Sequence, residues 1–131
     1  MSQPTAYTCT IIYGAPGTPA TYSISPAITS SNVHPGDTFN FVFTGGASAI
    51  PASTIKKAVL IAGWREASAG QGSSPFTKDS NDIDLVSDST LTVGTRLGKW
   101  GFVVSFYTVE PSGMTHFYFL PDPEIEITPG G

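Results

Sequence analysis

Apolar and polar residues alternate along this chain at a period of two, in short runs cut by glycine, proline and serine. Successive side chains of a strand point to opposite faces, so such runs predict strands and not helices. The clearest run covers residues 38–44. Phe39, Phe41 and Phe43 share one face there, with Thr38, Asn40 and Thr44 on the other. Three rings at that spacing predict a core wall on a central strand. Residues 7–13 put Tyr7, Cys9, Ile11 and Tyr13 on one face, opposite Thr8 and Thr10. Residues 21–25 predict a second strand with Tyr22 and Ile24 on one side.

Further along, residues 54–65 contain Val59-Leu60-Ile61, and this β-branched run favours a buried strand over a short helix starting at Ser53. Residues 67–74 are small and polar and predict a mobile loop. Two short strands are expected at 81–86 and 89–93, around a turn at Ser87-Asp88. Residues 101–109 are apolar on both parities, which predicts cover on both faces. A turn at 110–113 leads into a returning strand at 114–120. There His116 and Met114 share a face that the hairpin turns to solvent, with Phe117 and Phe119 on the opposite one. Pro121-Asp122-Pro123 interrupts pairing because proline lacks the ladder donor, and residues 124–128 end as an edge strand.

About eight or nine strands at this spacing predict an all-β, Ig-like antiparallel two-sheet sandwich. Fourteen glycines and eleven prolines in 131 residues would break long helices almost everywhere. The length suits a single domain over residues 1–131 with one core.

Composition then narrows the function classes. Charged residues make up only 12% of the chain, and the net charge is −4. Lys56, Lys57, Arg65, Lys78, Arg96 and Lys99 are scattered, so no basic stripe is available for phosphates, and nucleic acid is not an expected partner. No apolar run is long enough to predict a membrane span. A weakly charged Ser/Thr-rich surface repels its neighbours little, which points to a protein partner or a homo-oligomer. Cys9 is the only cysteine and forms no intrachain disulfide. With no cationic and apolar leader at the start, the default expectation is a cytoplasmic protein, with export by another route left open.

The segment Val33-His34-Pro35-Gly36-Asp37-Thr38-Phe39-Asn40-Phe41 resembles the Pro-Gly-Asp-Thr turn and strand of bacterial Ig-like domains and cupredoxin-like sandwiches. Ser89 to Val93 and Gly98 to Phe102 look like the paired strands of such domains. The resemblance implies a sandwich and, for the cupredoxins, a copper site of two His, one Cys and an axial Met. The chain offers His34, His116, Cys9 and Met114. Their order differs from the family's, where the Cys comes shortly before the second His, so no metal or other cofactor is expected.

No nucleophile elbow, phosphate loop or dinucleotide fingerprint occurs, and the chain is read as a non-enzyme. Asp79, Asp82, Asp84 and Asp88 form one acidic cluster, whose alternatives are a calcium loop and ordinary turn capping. Trp64 ends a strand beside the expected loop and, like Tyr13, could stack on a sugar; Trp100 is expected in the core. The leading expectation is a non-catalytic binding or self-assembly module acting through surface loops or edge strands. A small lectin-like carbohydrate binder using Trp64, Tyr13, Asp79, Asp82 and Asp84 is the first alternative, and a cupredoxin-like metal binder the second.

Overall fold

The computed structural model describes residues 4–28, 33–67, 74–78, 82–120 and 124–129; for 62–67 and 124 the description covers the backbone alone. Nine strands lie among these residues: β1 (Ala6–Tyr13), β2 (Thr21–Ser25), β3 (Thr38–Gly45), β4 (Thr54–Ala67), β5 (Asp82–Asp84), β6 (Thr90–Thr92), β7 (Gly98–Val109), β8 (Thr115–Leu120) and β9 (Glu124–Ile127). They form two sheets, one ordered β2-β1-β3-β6 and the other β5-β4-β7-β8. β9 pairs with β7 next to the stretch that β8 occupies. The chain is an all-β two-sheet sandwich.

The sheets are not wholly antiparallel. β1 and β3 run parallel, from Ala6 opposite Thr38 to Tyr13 opposite Gly45. A parallel pair cannot be joined by a tight hairpin, and β2 with the segment after it supplies the return. This register sets Tyr7 beside Phe39, Cys9 beside Phe41 and Ile11 beside Phe43, so two inward rows merge into one wall. Tyr7 stacks on Phe39 at 5.0 Å. As its pattern predicts, β3 is central.

Against this wall stand Ala58 and Leu60 of β4, Trp100, Phe102, Val104 and Phe106 of β7, Tyr118 and Leu120 of β8, and Ile125 and Ile127 of β9, all buried. Trp100 is in the core, as expected, and its indole N–H donates to the Arg96 carbonyl. A fully buried ring from outside the strands completes the seam. Phe76 lies edge-on to Phe39 and Phe41 and stacks on Phe102 at 5.9 Å. Its backbone N–H donates to Ser74 Oγ, while Arg96 Nη1 donates to the carbonyls of Ser74 and Phe76. Gly94 passes so close that a Cβ there would sit 3.3 Å from the Phe76 carbonyl carbon.

Several expectations are corrected. β7 is covered on one face only: Val103 and Ser105 point outward and are exposed. The parity of β8 is the reverse of the expected one. His116 shares the inner side with Tyr118 and Leu120, and Phe117 and Phe119 face out. His34 is half-buried, and its Nδ1 lies 3.1 Å from the Thr128 carbonyl. β9 is not a bare edge either, because Ile127 bridges to Val33 and the Thr128 N–H donates to the Val33 carbonyl. Between Leu120 and Glu124 the chain spans four positions while β7 spans three, from Val104 to Gly101. That mismatch falls where the prolines were expected to break pairing. Residues 121–123, like 68–73 of the expected loop, lie outside the described residues.

The Pro-Gly-Asp-Thr turn has a physical function in the fold. Gly36 takes a positive φ of 95°, which favours glycine. The buried Asp37 carboxylate then accepts the N–H of Thr5 at 2.8 Å and of His34 at 2.9 Å. Its main chain meets Val93 at the end of β6, since the Val93 N–H donates to the Asp37 carbonyl. One side chain therefore fastens the segment before β1 to the turn before β3. Truncating it would strand two N–H groups, so Asp37→Ala should cost about 2–3 kcal/mol of stability, read as a lower urea midpoint with an unchanged slope.

Candidate functional site

The outer faces of the two sheets differ in chemistry. On the β2-β1-β3-β6 sheet the outward positions are mainly Thr8, Thr10, Thr38, Asn40, Thr90 and Thr92, interrupted by Ile12 and Val42. Thr90 Oγ1 donates to Asn40 Oδ1 across that face. Alternation of this kind solvates one side of a sheet.

On the other sheet the register builds three outward rows. Lys57, Tyr107 and Phe117 lie side by side; next come Asp84, Val59, Ser105 and Phe119; then Asp82, Ile61 and Val103. Phe117 is 73% exposed, Phe119 50%, Ile61 48% and Val103 39%. The Tyr107 and Phe117 rings tilt together at 5.5 Å. An open groove of about 460 Å³ runs over this face, lined by Lys57, Val59, Ser105, Tyr107, Phe117 and Phe119. Its centre is apolar, its β8 flank is aromatic and its β5 flank is acidic.

Of the residues expected to bind a ligand, Asp82 and Asp84 reach the margin of this face. Asp84 is also a turn former: its Oδ1 accepts the Val86 N–H at 2.9 Å. That bond chiefly holds the carboxyl below its ordinary range, with smaller contributions from Ser87 and the nearby Lys57 charge. Asp88 pairs with Lys78. Asp79 lies outside the described residues. Tyr13 is not a surface platform: it is buried, with Phe106 at 5.8 Å and Tyr118 at 5.4 Å, and so has no free face for a sugar. The backbone of Trp64 pairs with Trp100, and its side chain lies outside the described residues. The sequence pattern hides the groove residues Tyr107, Phe117 and Phe119: Tyr107 falls in a run that predicts cover on both faces, and Phe117 and Phe119 fall on the side of β8 opposite the one expected to face solvent.

The copper-type ligands are not brought together. Cys9 faces the core, where burial pushes its thiol up to about 11. His34 sits by Thr128 and His116 at the β7–β8 turn. Among the described residues no group of three His, Cys, Asp or Glu could hold a metal ion.

His116 has a partner of its own. Its Nε2 lies 2.7 Å from Glu110 Oε2, and the other Glu110 oxygen accepts Ser112 Oγ at 2.8 Å. These bonds, His116 first, hold the Glu110 carboxyl below its ordinary value. They close the turn that leads into β8, the strand that carries Phe117.

No family model matches the chain, and no curated protein or solved structure matches it either.

Two outcomes are expected. Cys9 should resist a thiol reagent in the native protein at pH 8 and react fully once urea unfolds it, since burial removes both access and thiolate. The Glu110 contribution to stability is present above its ordinary pKa of 4.5 and lost as pH falls through the lowered one. Glu110→Gln should therefore flatten the acid limb of the urea-midpoint profile below about pH 4.5.

Proposed function

We propose that the protein is a non-catalytic binding or self-assembly module whose working surface is the outer face of β4, β7 and β8. The observation that carries this reading is the contrast between two sheets of one molecule. One outer face is largely threonine and asparagine; the other exposes Phe117, Phe119, Ile61 and Val103 together. Scattered apolar residues on a surface are ordinary, but a contiguous patch of several hundred Å² marks a place of contact. The face is built on paired strands, and its position is set by the core beneath it.

The groove also supports a second reading, a carbohydrate binder. Rings at Tyr107, Phe117 and Phe119 could stack on sugar faces, with Lys57, Ser105 and Asp84 as polar neighbours. This differs from the set expected from sequence, which centred on Trp64 and Tyr13. A glycan array with and without calcium separates it from the leading reading.

Amide shift mapping on labelled protein tests the surface itself. Adding a bound oligosaccharide from such a panel, or raising the protein concentration, should move the amides of Lys57, Val59, Ser105, Tyr107, Phe117 and Phe119. Shifts confined to the Thr-rich face or to the loops, in both arms, would remove the reading.

A further inference from the structure

We infer that the occupant of this face is a second copy of the same chain, packed sheet to sheet; this rests on the reading of the face as a contact surface. The first argument is chemical. The middle of the face is Val59, Ile61, Val103, Phe117 and Phe119, with the Ser105 hydroxyl among them. A sugar or a charged ligand needs hydrogen-bond partners across its footprint; here the central strand offers only the Ser105 and Tyr107 hydroxyls, and the charged groups Lys57, Asp82 and Asp84 stand toward the β4 and β5 side. A surface rich in aliphatic and aromatic groups fits this one better, and the face is itself such a surface.

The second argument is area. A fully buried aromatic side chain hides roughly 150–250 Å², so the exposed parts of these residues sum to the order of 400–500 Å². A standard interface buries about 800 Å² per partner, and close to two-thirds of its central part is apolar. The patch is thus the right size for the middle of a two-fold interface with a polar rim.

The third argument is charge. A two-fold axis along β7 in the plane of contact lays β4 of each copy over β8 of the other. Lys57, level with Tyr107 and Phe117 in its own sheet, then meets the Phe117 ring of the second copy, an attractive cation–π contact. Asp82 and Asp84, one strand further out on β5, fall beyond the opposing β8 edge and stay in water. In the rows of Lys57, Val59 and Ile61 no like charges are stacked; further along β7 the exposed Lys99 comes opposite its own copy at the rim of the contact, and a net charge of −4 adds little repulsion. The result extends the sandwich to four layers, with outer faces meeting as inner faces do.

Sedimentation equilibrium on the full chain, from low micromolar to about 1 mM, tests this. The wild type is expected to be a dimer at the upper end, and Phe117→Ser and Phe119→Ser should each weaken it at least tenfold. Because both side chains point out, the circular dichroism spectrum and melting temperature should be retained. Val42→Ser, on the Thr-rich face, should dimerise like the wild type. A strict monomer throughout, or a dimer that both Phe variants keep, overturns the inference. In the first case the amide map with oligosaccharides still decides whether the face binds anything, so the two readings fail separately.

Discussion

The fold depends on one apolar wall, built by β1 and β3 of a single sheet, on which the other sheet packs. β1 and β3 lie parallel and in register, so Tyr7, Cys9 and Ile11 stand beside Phe39, Phe41 and Phe43. A slip of one residue would turn an entire row to water. Phe76 locks the arrangement from the side, touching Phe39 and Phe41 of one sheet and Phe102 of the other. Arg96, Ser74 and Gly94 hold that ring in place through backbone contacts. Asp37 performs the same service at the end of the wall where both strands begin. Burial and, second, the Asp37 charge push the Tyr7 phenol up, as expected for a ring packed beside a carboxylate.

Much of this architecture is legible in period-two patterning. β1, β2 and β3 fall within a residue of their expected bounds because one parity is clearly apolar and the other clearly polar. Trp100 reads correctly as core, and Ile125 and Ile127 are inward as the alternation with Glu124 and Glu126 requires. The parallel pairing of β1 with β3 is not legible. Both strands have the same alternation whichever direction they run, and the choice is made by which partner completes the wall. Phe76 is equally hidden, since a single ring in a polar stretch has no period to betray it.

The errors on β7 and β8 share one cause. Residues 101–109 and 114–120 are apolar on both parities, so composition cannot say which side faces in. Burial is decided by the neighbours: Tyr118 reaches across to donate to the Gly14 carbonyl, and Leu120 packs with Ile125 and Phe102 around a small gap beside Cys9. Those contacts commit one side of β8 to the core. Phe117 and Phe119 are left outside as a consequence, so the candidate site lies where the sequence pattern was ambiguous.

That ambiguity bears on how the surface works. A sandwich can associate through strand edges or through a face, and here the edges are blunted. β5 is three residues long and carries Asp82 and Asp84. β9 is tied to Val33, and the β8 edge gives the Phe119 carbonyl to the Ala20 N–H. β6 is flanked by the Phe76 segment, bridged to Val93. β2 remains, a short edge with three of its five residues Thr or Ser. Edge pairing offers backbone hydrogen bonds that water already satisfies, whereas a contiguous face of Phe, Ile and Val releases ordered water when covered. Blunting at most of the described edges, beside two phenylalanines on the outside of a hairpin, favours the proposed contact through that face over pairing at an edge.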